Sequence, residues 1–270
     1  MDSKTSEAEY STPLAIVPRF PQEIVDWILD HLATDSRSLR SCALVSKSWV
    51  PSCQRHLFNT IAFTPENIPR WLKTFPVPGG NPARHVRELA LLVGGYLSAP
   101  ESFSKHTPWF TNVKRMFLYL LGRGGFQSSR GPLVLRLPQS VTSLTINANN
   151  DTLVRIWDIL VQLPNLDDLK LSGSLAAVGR GPFPGIETAL GWRFGGQLQL
   201  SEGLAHEDVM NMLLEIPTGL HFTEVKVHGT RDCLLSTARL AEACGETLVK
   251  LSNTVCFRCK SHPLSWPSWC

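Results

Sequence analysis

The sequence predicts an α/β chain: a short head of three helices followed by a stacked β/α solenoid with parallel strands. Three observations predict this. An apolar triplet recurs along most of the chain at nearly constant spacing. Several of the intervals between copies carry a helical period. Residues 20–57, ahead of the first full rung, carry a helical period of their own.

Composition sets the outer limits. With 43% hydrophobic and 18% charged residues in 270 positions, the chain is ordinary globular protein. Its length is enough to bury about 70–75% of the surface its unfolded form exposes. A net charge of +3 is too small to argue for a nucleic-acid partner. Residues 1–17 are predicted to be a disordered tail; its first stretch, MDSKTSEAEYSTP, is polar and slightly acidic and lacks the basic segment and apolar core of a secretory signal. No run of about 18 apolar residues predicts a membrane span. Seven cysteines, an odd number with no secretory signal, read as reduced thiols of the cytosol or nucleus.

The head, 18–57, comes first in order. Pro21 suits the start of a helix, where its missing N–H costs nothing, and Glu23 falls in the first turn, which favours negative charge. Ile24, Ile28 and Leu32 stand at i, i+4 and i+8, with Trp27 and Leu29 widening the stripe. A second helix is predicted from Leu39 to Trp49, and Pro51 opens a third through Cys53 and Leu57. Three short helices in under 40 residues make a marginal core, and such a unit gains stability by offering an apolar face to a partner.

The array, 58–252, rests on the pattern apolar-x-x-apolar-x-apolar. It occurs at Phe58–Ile61–Phe63, Val86–Leu89–Leu91, Val113–Met116–Leu118 and Val141–Leu144–Ile146. It returns at Leu166–Leu169–Leu171 and Phe222–Val225–Val227, with partial copies at Leu198–Leu200 and Leu248–Leu251. Successive middle positions are separated by 25 to 29 residues. The last two apolar residues of each copy are two apart, which is strand alternation. Helical patterns fill 150–163, 204–216 and 231–244, closed by Pro164, Pro217 and Gly245. A strand and a helix every ~27 residues fits the leucine-rich repeat period. Stacking supplies the core that no single unit can bury alone. An ordinary α/β sheet with even spacing is the alternative. The repeats are degenerate: the asparagine usual after the strand is missing except at Asn147, and 92–112 and 119–140 are Gly/Pro-rich.

The head also resembles a known family. Phe20-Pro21-x-Glu23-Ile24-x-x-x-Ile28-Leu29-x-x-Leu32, then Asp35, then Leu39-x-x-Cys42-x-Leu44-Val45-Ser46-Lys47-x-Trp49, then Arg55-x-Leu57-Phe58, resembles an F-box. It is most similar to the fungal F-box proteins in which this head precedes a degenerate leucine-rich array. Phe20 stands where that family usually has leucine. The resemblance implies an adaptor subunit of an SCF-type cullin–RING ubiquitin ligase. Its head would dock on the Skp-type linker, its repeats would hold a protein substrate, and the ubiquitin chemistry would belong to other subunits. By position, Pro21, Ile24, Ile28, Leu44 and Val45 would form the docking face, with Trp49 at its edge or in the small core. The alternatives are that these residues only hold a cap on the array, and that the chain is a leucine-rich interaction scaffold unconnected with ubiquitin.

Strand alternation assigns an exposed row opposite the buried one. Its members are Glu88, Ala90 and Leu92; Arg115, Phe117 and Tyr119; Ser143, Thr145 and Asn147. It continues as Asp168, Lys170 and Ser172; Gln197, Gln199 and Ser201; Glu224, Lys226 and His228. Most are polar, but Leu92, Phe117 and Tyr119 are not. They form either a contact patch for substrate or the floor under the Gly-rich stretch 121–132. From Ser102 to Asn150 there are six basic residues, Arg115 among them, and no acid. That segment is either a solvated face or one that favours an acidic or phosphorylated peptide. Nothing matches a nucleic-acid motif.

Chemistry is poorly represented. The sequence carries no nucleophile elbow, zincin helix or phosphate loop, so an enzyme is not expected. Cys256-x-x-Cys259-x-x-His262, with Cys270, is one knuckle where zinc usually takes two, so neither metal nor other cofactor is predicted. Residues 253–270 read as an irregular tail without period or caps, so the array is expected to end there on an apolar edge.

Overall fold

The computed structural model describes residues 21–77, 82–94, 104, 106–121, 136–175, 194–201, 203, 207–216, 219–229 and 233–255. The chain divides into two units, one up to His56 and one from Leu57 onward. Among the described residues no helix is long and apolar enough to cross a membrane.

The first unit is built on α1 (Gln22–His31), α2 (Ser36–Val45) and α3 (Val50–Leu57). Pro21 is the N-cap of α1, with its carbonyl accepting the Ile24 and Val25 N–H groups. Asp35 caps α2 through its carboxylate, which accepts from the Arg37 and Ser38 N–H groups at 3.1 Å each. The helix expected to run on to Trp49 stops at Val45. Ser46 is extended, and its hydroxyl accepts the Ser48 N–H, a local turn that competes with another helical turn. Trp49 instead starts the next helix: its carbonyl accepts the Cys53 N–H at 2.9 Å.

The second unit is an all-parallel sheet of eight strands in strict chain order. These are β1 (Thr60–Phe63), β2 (Glu88–Gly94), β3 (Arg115–Leu121), β4 (Ser143–Asp151), β5 (Asp168–Leu175), β6 (Phe194–Leu200), β7 (Leu220–Gly229) and β8 (Lys250–Val255). The register joins Ile61, Leu89, Met116, Leu144, Leu169, Leu198, Val225 and Leu251 in one continuous row. These are the middle positions of the sequence triplets. One residue before each of the first strands, a carbonyl accepts two N–H groups of the next rung: Asn59 takes Arg87 and Glu88, Arg87 takes Lys114 and Arg115, and Lys114 takes Thr142 and Ser143. Repeating the same bond pattern fixes the rung height.

The helices α4 (Ile68–Thr74), α5 (Leu153–Leu160), α6 (Glu207–Leu214) and α7 (Leu234–Cys244) supply the other half of the core. The last three are shorter than the helical patterns at 150–163, 204–216 and 231–244, and α4 lies where the sequence showed no such pattern. In α5, Ile156, Trp157, Ile159 and Leu160 are all fully buried, in the same cluster as Leu144, Ile146, Leu169 and Leu171. Each such side chain contributes about 1.5–3 kcal/mol of burial free energy. At the first rung, Phe63, Trp71 and Phe110 close the core with ring-edge contacts; the Phe63–Trp71 centroids lie 5.2 Å apart. Gly196, at φ +64°, sits where the β6–β7 register shifts, and a Cβ there would lie 2.0 Å from the Asp167 carbonyl oxygen.

Leu251 departs from its row. It is 48% exposed, while its neighbour Val225 is fully buried. β8 has a described strand neighbour on one side only, whereas on the other edge strand Phe63 is sealed by Trp71 and Phe110.

Candidate functional sites

Two surfaces match the residues singled out by the sequence, one in each unit. In the first unit, the apolar residues of α1 separate into two sets. Val25 and Leu29 point inward, 2% and 0% exposed, and join Leu39 and Cys53 in a small core. Ile24, Trp27 and Ile28 remain on the outside at 47%, 63% and 37%. The sequence stripe had joined Ile28 to Leu29; a residue step of 100° puts them on different faces. On α2, Leu39 is buried, whereas Leu44 and Val45 are exposed, Leu44 at 89%. Pro21 is exposed and Trp49 half-buried. Ile24, Ile28, Leu44 and Val45 thus stand outside a core that is closed without them.

Polar bonds hold the helices of this unit together. Ser52 Oγ donates to Asp26 Oδ1 at 2.6 Å, linking α3 to α1. Asp30 Oδ1 receives both Arg55 Nη2 and His56 Nε2 at 2.9 Å. The Ser52 hydroxyl, helped by Gln22, holds the Asp26 carboxyl below the usual range. The Ser38 hydroxyl and N–H do the same for Asp35. Burial pushes the Cys53 thiol up, so it is a poor nucleophile at neutral pH.

In the second unit, one sheet face is buried and the other is open. None of the eighteen residues of the predicted exposed row is buried. They form three lines across the strands. The first runs Glu88, Arg115, Ser143, Asp168, Gln197, Glu224, Lys250. The second runs Ala90, Phe117, Thr145, Lys170, Gln199, Lys226, Ser252, and the third begins Leu92, Tyr119, Asn147, Ser172. Leu92 and Tyr119 are register partners, and Phe117 lies two residues before Tyr119; all three are half-buried. Leu121, not singled out by the sequence, extends the same side of β3; carrying the alternation to the strand end would have found it.

Charge on this face is mostly neutralised locally. Arg115 pairs with Glu88 on the neighbouring strand. Glu224 takes both Lys250 at 2.9 Å and Lys226 at 3.1 Å, which hold its carboxyl below the usual range. Lys170 is exposed and has no ion pair among the described residues.

A cavity of about 580 Å³, lined by Thr107, Phe110, Arg136, Leu137, Gln139 and Gln162 among others, opens beside the segments leading into β3 and β4. No sequence pattern marked it. Among the described residues no cluster of His, Cys, Asp or Glu is arranged to hold a metal; the Cys256–Cys259–His262 knuckle lies outside them. No family model, curated protein or solved structure matches this chain.

Proposed function

We propose that the chain is a substrate-recruiting adaptor of an SCF-type cullin–RING ubiquitin ligase. The three-helix head is read as an F-box docking on the Skp-type linker, and the sheet unit as a leucine-rich-repeat-like solenoid that holds a protein substrate. The observation that carries the docking half is the exposure of Ile24, Ile28, Leu44 and Val45 beside a core already closed by Val25, Leu29, Leu39 and Cys53. A unit that only capped the array would have no use for four aliphatic side chains in water; a linker groove removes them from it. The array half is supported by the strict chain order of parallel strands and by the unbroken row from Ile61 to Leu251.

The test is capture by the Skp-type linker, comparing the wild-type chain with an Ile24→Asp/Leu44→Asp double variant. The adaptor reading requires capture that the double variant loses while keeping its helical circular dichroism. Absence of capture by the wild type would leave the second reading, a leucine-rich interaction scaffold outside ubiquitination.

A further inference from the structure

We infer that the open sheet face takes a peptide in the polyproline II conformation in which an apolar side chain is followed, three residues later, by a carboxylate. This deepens the adaptor reading and rests on it, since the peptide would be the recruited segment of the substrate.

The face is zoned along its middle line. From β2 to β7 the residues are Ala90, Phe117, Thr145, Lys170, Gln199 and Lys226. The apolar residues Ala90 and Phe117 lie at the β2–β3 end, and both cations, Lys170 and Lys226, lie further along, with neutral Gln199 between them. The third line runs from Leu92 and Tyr119 to Asn147 and Ser172. Acids are confined to the first line: Glu88 and Glu224 are taken up by Arg115, Lys226 and Lys250, and Asp168 makes no ion pair with Lys170 two residues on. The middle line is therefore the one with cationic charge to offer.

Spacing then sets the ligand. Phe117 and Lys170 lie two strands apart on the same line. Neighbouring strands are about 4.8 Å apart, so the two side chains are roughly 10 Å apart across the sheet. A peptide in the polyproline II conformation advances about 3.1 Å per residue with three residues per turn, so side chains three residues apart share one face and cover that distance. Lys226 lies two strands further but is already paired with Glu224, so Lys170 is the anchor for the carboxylate. Thr145, between Phe117 and Lys170, offers hydrogen bonds to the peptide backbone without selecting side chains. An exposed ammonium attracts a carboxylate only modestly, so selectivity comes from meeting the apolar and acidic positions together.

Fluorescence anisotropy of the full chain against labelled Gly/Ser peptides tests this. Each peptide carries one Leu and one Glu, separated by one to four residues. The expected result is tightest binding with two intervening residues. Lys170→Glu should weaken it by about fivefold to tenfold, and binding should recover when Lys replaces Glu in the peptide. Phe117→Ser should weaken every member that binds. The inference is overturned by affinity independent of spacing, by a Lys170→Glu variant as good as the wild type, or by an oligouridine that binds through Phe117 and Lys170 when no peptide does. Linker capture of the same preparations separates the two claims. Capture without peptide binding sinks the peptide site alone, and peptide binding without capture sinks the adaptor reading alone.

Discussion

The two units of this chain divide their apolar residues differently: the sheet unit buries most of them and leaves Val77, Val154, Leu234, Leu235, Val249 and Leu251 exposed, whereas the head exposes more large apolar side chains than it buries. In the sheet unit the rows from Leu89, Leu91 and Val93 through Met116, Leu118 and Leu120 to Val225 and Val227 are at most 3% exposed, because each rung is roofed by its neighbours. In the helical unit five large apolar side chains, Ile24, Trp27, Ile28, Leu44 and Val45, are exposed within 25 residues of one another. The difference follows from size. A stacked array adds core with every rung, whereas three short helices close around a few side chains and have no interior left for the rest. The residue type is the same in both; only position tells core from exposed surface.

The largest effect expected from this comparison is in the middle of the sheet. Leu144→Ala should cost about 3–5 kcal/mol in chemical denaturation, since Leu144 is fully buried between two rungs and under α5. A cost under about 1 kcal/mol would mean that the row is not a packed core. Leu29→Ala should cost about 2–3 kcal/mol, read from the helical signal, because a small core collapses more readily around a deleted group.

The positions of the parallel strands were readable from sequence nearly to the residue. Strand period and rung spacing reinforce each other, so eight middle positions from Ile61 to Leu251 fall on one row. The exposed line was readable for the same reason, since alternation fixes both faces at once. Three things were not. The end of α2 depends on one hydroxyl, Ser46 Oγ, accepting a nearby N–H, an option that helical periodicity does not register. The inner and outer sets of α1 were not separated: Leu29 was placed beside Ile24 and Ile28 and Val25 was left out, because the apolar arc is wider than the small core can cover. The third is α4 (Ile68–Thr74), whose seven residues hold about two turns, too few for a helical period to register.

A third effect separates the two apolar sets. Ile24→Asp/Leu44→Asp should change stability by no more than about 0.5 kcal/mol, as expected of exposed sites. The same change should lower affinity for the Skp-type linker at least about thirtyfold, by burying unpaired charge in the interface. Unfolding of the head by this pair of changes would place Ile24 or Leu44 in the core and reverse the assignment.

The smallest effect is with pH. The Asp26 carboxyl titrates below its unfolded value because Ser52 and Gln22 donate to the ionised form. Its contribution is therefore fully present above the unfolded value of about 3.9 and is lost as pH falls through the folded one. Acid titration followed by helical circular dichroism should show the head weakening below about pH 4. Asp26→Asn should flatten that dependence; an unchanged acid limb would show that the Ser52 bond does not hold α3 to α1.

The central claim is that the exposed set of the head is a docking face and the buried rows of the sheet are not. Amide hydrogen exchange of the full chain, with and without the Skp-type linker, tests it most directly. The account predicts new protection across α1 and α2, residues 22–45, with the strands from β2 to β7 unchanged. Protection confined to the strands, or none anywhere at saturating linker, would contradict it.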